Sequence, residues 1–135
     1  MDNMIVWADI PVTDLDRAMK FYGAVFQRAF IAVEGMPGIG LPAPDPSEQA
    51  AGGDGQGPMP VAFDLAVTQD HKPSEDGCTI YLNSDGDPEG MLRRAVEAGG
   101  EILMPVKDMG EMVGRVGFFK DSEGNRIGVH GPHQG

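Results

Sequence analysis

The sequence predicts an α+β fold built from two βαβββ modules, and three observations support this prediction. Short apolar runs with a two-residue period indicate strands. Two amphipathic segments with a helical period are opened by acidic residues, Asp14 and Asp87, which lie 73 residues apart. In each half of the chain, a strand and a helix are followed by three further strands, which indicates an internal duplication.

The first module begins with the strand and helix of Ile5–Phe26. Thr13 offers an N-cap hydroxyl, and Asp16 follows at the spacing of a capping box. The helix is predicted to cover the apolar face of the strand, so Trp7 and Asp9 point away from it. The apolar positions are Val6, Ala8, Ile10 and Val12 in the strand, and Leu15, Ala18, Met19, Tyr22, Val25 and Phe26 in the helix.

Three strands complete the first module. A short apolar run predicts the first of them at Ala29–Val33, and an irregular second strand is predicted near 39–41. Residues 43–58 are rich in glycine, proline and alanine, which predicts a long mobile loop. The strand at Pro60–Val67 follows, and Asp64 is a lone acid on its otherwise small and apolar second face. Such an acid indicates either a solvated face or a cavity.

The second module repeats this order after a polar linker at 68–77. Cys78–Asn83 is predicted to be its first strand, with Cys78 on the face that packs under the helix. Asp87 caps the helix, and Pro88 lies at N1, where its missing N–H costs nothing. The remaining strands are predicted at 102–104, 116–120 and 126–130, and the loop 107–115 is predicted to lie over the mouth of a pocket.

Length and composition limit the classes of function. The 135 residues predict a single domain, 1–135, with module one at about 4–67 and module two at about 78–131. A single cysteine excludes an internal disulfide, and together with the absence of a signal-peptide pattern at the N-terminus this predicts a cytoplasmic protein. The net charge of −11 disfavours nucleic acid and anionic membranes as partners and favours a cationic ligand. Solubility or adaptation to salt explains the same acidity.

Two motifs carry a family resemblance. They are Ile10–Tyr22, IPVTDLDRAMKFY, and Phe118–Val129, FFKDSEGNRIGV. Together with the duplicated order of elements, they resemble the vicinal oxygen chelate superfamily, which includes glyoxalases, bleomycin-resistance proteins, extradiol dioxygenases and fosfomycin-resistance enzymes. The resemblance implies sheets that curve around a shared pocket, helices on the outside, a small-molecule ligand and a homodimer.

The same resemblance bears on a metal. In metal-using members, side chains from the first, fourth, fifth and eighth strands hold a divalent ion. These positions fall at Trp7, at Asp64, near 78–80 and at Gly128. An indole only donates hydrogen bonds, and glycine has no side chain. Since zinc requires three or four donors, we predict that the pocket holds no metal and no other cofactor, with a divalent ion as the alternative.

The strand faces that point away from the helices are expected to line the pocket. His130 is either a general base or a strand-end histidine bonded to the backbone. Asp9 either forms an acid pair with Asp64 or is solvated or paired with Arg126. The predicted pocket residues are Trp7, Asp9, Asp64, Thr79, Tyr81, Asn83, Phe118, Arg126, Gly128 and His130, of which Trp7 and Tyr81 either stack on a ligand or fill the cavity.

Two functions follow as hypotheses. The first is a small-molecule-binding protein that sequesters its ligand in a metal-free pocket, similar in kind to the bleomycin-binding branch. The second is a glyoxalase-like lyase, isomerase or epimerase that uses Asp64, Asp9 or His130 as the base. Metal-assisted enolisation and dioxygenation are disfavoured, because both need an ion to polarise the substrate oxygens.

Overall fold

The computed structural model describes residues 4–5, 7–44 and 61–135. The predicted loop at 43–58 therefore lies outside the described residues, except for Ala43 and Pro44. The elements are, in chain order, β1 (Trp7–Pro11), α1 (Leu15–Phe26), β2 (Phe30–Val33), β3 (Met36–Pro42), β4 (Ala62–Ala66), β5 (Ile80–Asn83), α2 (Pro88–Glu97), β6 (Glu101–Asp108), β7 (Arg115–Lys120) and β8 (Arg126–Gly131).

The strands form two four-stranded sheets with the same topology. Their orders are β1-β4-β3-β2 and β5-β8-β7-β6. In each sheet the first and last strands of the module pair in parallel, and the other neighbours pair antiparallel. This arrangement confirms the predicted α+β fold of two βαβββ modules. In the described residues, no helix is long and apolar enough to cross a bilayer.

A single core joins the two modules through their helices. The predicted apolar face of β1 is confirmed, because Ile10 is buried beneath α1. Phe63 of β4 contacts aromatic residues of α1 and β2 on the same side. The helices also contact each other, and Arg94 Nε donates a hydrogen bond to Val25 O (2.8 Å). The faces opposite to the helices are therefore left for function.

Asp14, and not Thr13, is the N-cap of α1. The Asp14 carboxylate accepts from Arg17 N (3.0 Å). The Thr13 hydroxyl instead donates to Glu123 Oε1 (3.1 Å), which also accepts from the backbone N–H groups of Thr13 and Asp14. The hydroxyl that was predicted to cap the helix is thus hydrogen-bonded to a carboxylate of the other module. The predicted cap of α2 is confirmed, with Asp87 accepting from Gly90 N (3.0 Å).

The β7–β8 turn, residues 121–125, fastens the second module to the first. Tyr22 Oη donates to Asp121 Oδ2 (2.6 Å), and Asn125 Nδ2 donates to Pro11 O (2.8 Å). Burial, the charge of Asp121 and this hydrogen bond raise the pKa of Tyr22 well above its usual value, so it remains a neutral donor. Glu123 completes the contact with α1. The turn within the second sequence motif therefore links the two modules through hydrogen bonds.

The start of the second module differs from the prediction. The pairing of β5 with β8 begins at Ile80 and Ile127, so the chain before Ile80 lies outside the sheet. Cys78 is exposed, and its predicted place under the helix is wrong for this reason. The linker does not form a helix or strand. It lies beside the start of β8, where Arg126 N donates to Ser74 O (3.4 Å).

Candidate ligand-binding site

The predicted pocket residues fall into two groups, one on each sheet. The acidic group consists of Trp7, Asp9 and Asp64 on β1 and β4. The aromatic group consists of the predicted pocket residues of the second module and lies on β5, β7 and β8, with Thr79 immediately before β5. Among the described residues, no hydrogen bond or ring contact joins the two groups, so each is a separate half-site. The aromatic group contains Thr79, Tyr81, Asn83, Phe118, Arg126, Gly128 and His130.

The parallel pairing of β1 and β4 brings the two acids together. Asp9 and Asp64 lie directly opposite each other in the register, so their side chains share one face of the sheet. Trp7 lies two residues before Asp9 on that face, and its Nε1 donates to Asp64 Oδ2 (3.1 Å). Asp64 is only 7% exposed, whereas Asp9 is exposed. The predicted acid pair is therefore present as a geometric arrangement.

The pKa of Asp64 is raised from 3.8 to about 6, and burial is the largest cause. The hydrogen bond from Trp7 acts in the opposite direction, because it stabilises the carboxylate. The neighbouring carboxyl group of Asp9 and its negative charge also contribute to the rise. Oδ1 of Asp64 is buried and has no hydrogen-bond partner. The acidic group thus contains one buried acceptor whose hydrogen-bonding capacity is not used.

Arg126 belongs to the aromatic group and does not pair with Asp9. Its guanidinium carbon lies 3.9 Å from the centroid of the Phe118 ring, and its Nη1 donates to Thr79 Oγ1 (2.5 Å). The alternative in which Asp9 pairs with Arg126 is therefore wrong. Tyr81 meets Phe118 edge to face, with 5.7 Å between the ring centroids. The surface therefore consists of the Tyr81 and Phe118 rings and the Arg126 guanidinium, which stacks on Phe118 and is hydrogen-bonded to the Thr79 hydroxyl.

Gly128 makes room for the Tyr81 ring. The two residues are partners in the β5–β8 register, and a Cβ at position 128 would lie 2.5 Å from Tyr81 Cδ1. An acidic side chain at this position would therefore displace Tyr81. The aromatic ring occupies the space that a ligating side chain on β8 would need.

A groove of about 440 Å³ adjoins the aromatic group. Tyr81, Asn83 and His130 line it, and Tyr81 is 51% exposed. His130 Nε2 donates to Val113 O (2.6 Å), so the histidine bonds to the backbone of the β6–β7 loop. Sequence reasoning missed four further lining residues, Leu82, Gly86, Gly131 and Pro132. The irregular segment after β5 was a signal for Gly86 alone.

The residues present do not fit a metal. Trp7 supplies a donor N–H that already occupies Asp64 Oδ2, and Gly128 supplies no ligand. Thr79, near the predicted fifth-strand position, bonds to Arg126. In the described part of the chain, no three His, Cys, Asp or Glu side chains are grouped so that they could hold a metal ion. The two positions of the second module at which the resemblance places ligands, 78–80 and Gly128, thus carry no carboxylate or imidazole.

Comparisons with known proteins agree with this architecture. A solved glyoxalase/bleomycin resistance protein from Albidiferax ferrireducens T118 is similar in fold, with a TM-score of 0.66, 15% identity, and coverage of 98% of this chain and 100% of that chain. A fosfomycin resistance protein, FosX, from Listeria monocytogenes, solved with Mn(II) and 1S,2S-dihydroxypropylphosphonic acid, has a TM-score of 0.58 and 13% identity, and the match covers 98% and 92% of the two chains. Both likenesses concern the fold.

Sequence relatives indicate the family. A glyoxylase-like domain-containing protein from Didymella fabae is 32% identical over 126 residues, which cover 93% of this chain and 91% of that protein. The family model described as Glyoxalase/Bleomycin resistance protein/Dioxygenase superfamily matches residues 4–129. That match includes both modules and both motifs. The chain therefore belongs to the glyoxalase/bleomycin resistance protein/dioxygenase superfamily.

Proposed function

We propose that this protein binds and sequesters a small organic molecule in a pocket that contains no metal. The observation that carries the proposal is the pair of contacts at the positions where the family resemblance places ligands. Trp7 donates to Asp64 on the first sheet, and Tyr81 lies over Gly128 on the second. Both contacts use these positions for hydrogen bonding and packing.

The aromatic group supports a planar or partly planar ligand. Tyr81 is half exposed beside the groove, and a ring or conjugated group can stack on it edge to face or offset. Arg126 offers a fixed cation beside the same surface, which favours a ligand with a carboxylate or another anionic group. The groove volume of about 440 Å³ suits a small metabolite.

A homodimer is part of the proposal. The acidic and aromatic groups lie on different sheets, and Asp9 and Tyr81 are exposed. A second copy of the chain would supply an opposite wall for each half-site. We place this dimer in the cytoplasm, because the single cysteine is free and needs no oxidising compartment. Light scattering during gel filtration measures its mass directly.

Thermal-shift measurements test the absence of metal. Untagged protein is melted with Ni²⁺, Zn²⁺ or Mn²⁺, and separately with a panel of small organic acids, amines and aromatic metabolites. Stabilisation by organic compounds, with no shift by the metals and no metal in elemental analysis, is the expected result. A stoichiometric divalent ion that is lost in Asp64→Asn would contradict the proposal.

A second function is favoured by one observation, the raised pKa of Asp64. A carboxyl group with a pKa of about 6 beside a second carboxylate is suited to moving a proton near neutral pH. This would make the protein a metal-free lyase, isomerase or epimerase with Asp64 as the base and Asp9 as its partner. Turnover of a bound compound that is abolished in Asp64→Asn, while binding is retained, would favour the enzyme. Binding without turnover favours sequestration.

A further inference from the structure

We propose that Trp7, Asp9 and Asp64 form a recognition site for a positively charged N–H donor of the ligand, an ammonium or amidinium group. This inference rests on the proposed function and names the chemical class of one group of the ligand, separate from the anionic group expected beside Arg126. It concerns the acidic group on the first sheet, whereas the aromatic group lies on the second sheet. The nitrogen would approach the face of β1 and β4 that is turned away from α1.

The first argument is the unused acceptor on Asp64. This residue is 7% exposed, its Oδ2 accepts from Trp7, and its Oδ1 is buried without a partner. Leaving a buried polar atom unpaired is costly, so such atoms in folded proteins usually have a protein, water or ligand partner. A donor brought by the ligand would give Oδ1 the partner that it lacks, while Oδ2 accepts from Trp7.

The second argument is the charge of the site. Asp9 lies opposite Asp64 in the strand register, which places two carboxyl groups side by side on one surface. The ion pairs formed between described residues involve other acids, and none of them neutralises Asp9 or Asp64. The net charge of −11 adds a long-range field that attracts cations. A donor that also carries positive charge therefore complements the site better than a neutral one.

The third argument concerns the kind of cation. A divalent ion needs several oxygen, nitrogen or sulfur donors, and the indole of Trp7 contributes none. Its N–H also occupies Asp64 Oδ2, which reduces the electron pairs available to an ion. An ammonium or amidinium needs only acceptors that point towards its N–H groups. Asp64 Oδ1 and the exposed carboxylate of Asp9 provide such acceptors.

The chain contains one tryptophan, which gives the site its own reporter. The indole N–H cross-peak of Trp7 in a ¹H–¹⁵N NMR spectrum is followed during titration with benzylammonium chloride, benzyl alcohol or sodium benzoate. These probes share a phenyl ring and differ mainly in charge. We expect a saturable shift with benzylammonium at millimolar concentrations, and affinities at least about tenfold weaker for the other two probes.

Three variants connect the shift to the acids. Asp64→Asn and Asp9→Asn each remove one charge with little change of shape, and each is expected to weaken benzylammonium binding about tenfold or more. Asp70→Asn is the matched control, because Asp70 is exposed in the linker and the variant changes the net charge equally. It is expected to bind like the unaltered protein. Circular dichroism and the indole peak itself confirm that each variant is folded.

The outcomes separate this inference from the proposed function. Equal binding of benzyl alcohol and benzylammonium, or no shift with any probe up to about 20 mM, overturns the cation site but leaves a metal-free binding protein possible. The same titration is made with MnCl₂, MgCl₂ and ZnCl₂. A stoichiometric shift of the indole peak by one of these ions, lost in Asp64→Asn, overturns both proposals. An equal loss of binding in Asp70→Asn shows a general field effect and also overturns the site.

Discussion

Replacing Asp64 with asparagine should stabilise the protein at neutral pH. The folded structure raises the pKa of Asp64 from 3.8 to about 6, first through burial and then, against the hydrogen bond from Trp7, through the neighbouring Asp9. A raised pKa means that the folded state holds its proton more tightly than the unfolded chain does. The free energy of unfolding therefore falls as the pH rises from about 4 to about 6, where Asp64 is already ionised in the unfolded chain and still protonated in the folded state.

The size of this effect follows from the two pKa values. A difference of this size corresponds to a penalty of up to about 3 kcal/mol at pH 7.5, and to almost none below pH 4. For a domain of 135 residues, about 3 kcal/mol corresponds to a change in melting temperature of about 10 °C. Asparagine keeps the size of the side chain and accepts from Trp7, but it cannot ionise.

Urea unfolding of both proteins between pH 3.5 and 8 measures the difference. The stability of the unaltered protein, taken relative to Asp64→Asn, should fall as the pH rises from about 4 to about 6 and then remain constant. Asp9→Asn removes the neighbouring negative charge, so the fall should be smaller and should end at a lower pH. Asp70→Asn is the control for net charge and should leave it in place. A difference that does not change with pH, or that increases in favour of the unaltered protein, would refute the reasoning.

Three further predictions concern the aromatic group and the hydrogen bonds between the β7–β8 turn and the first module. Glu123→Gln should destabilise the protein by about 3 kcal/mol at pH 7, because hydrogen bonds from Arg17 and the start of α1 outweigh the burial of the acid and lower its pKa from 4.5 to about 2. The loss, measured by urea unfolding, should vanish as the pH falls from 4.5 towards 2. A loss that does not change with pH would contradict this explanation. Tyr22→Phe should cost about 1–3 kcal/mol in the same assay, because it removes the donor to the buried Asp121, and an unchanged midpoint would count against that bond. Gly128→Ala should displace the Tyr81 ring and change its NMR resonances, and unchanged resonances would show that the ring has room for the extra methyl group.

The sequence was sufficient for the order of the elements and for most strand faces. Ile10 is buried and Asp9 is exposed, as alternation along β1 requires, because successive side chains of a strand point to opposite faces. The cap at Asp87 could also be predicted from local sequence, since proline is favoured at the first position of a helix and an acid before it can cap that helix. The family was evident from two motifs and a repeat.

Other features depended on contacts between distant residues. The Thr13 hydroxyl does not cap α1 but donates to Glu123, a residue 110 positions away in the chain, and Asp14 is the cap. Cys78 is exposed because the register between β5 and β8 starts two residues later than the alternation suggested. Neither outcome could follow from local spacing, because each is set by which segment of the other module arrives at that position.

The same distinction applies to the candidate site. The sequence by itself determined that the position expected for a first metal ligand is Trp7 and that Asp64 is a lone acid on its strand. Only the tertiary structure decided that Trp7 donates to Asp64 and that Asp9 lies beside it, because strand pairing brings residues together that are more than fifty positions apart. Burial then made one oxygen of Asp64 an acceptor without a partner, and composition and spacing contain no measure of that burial.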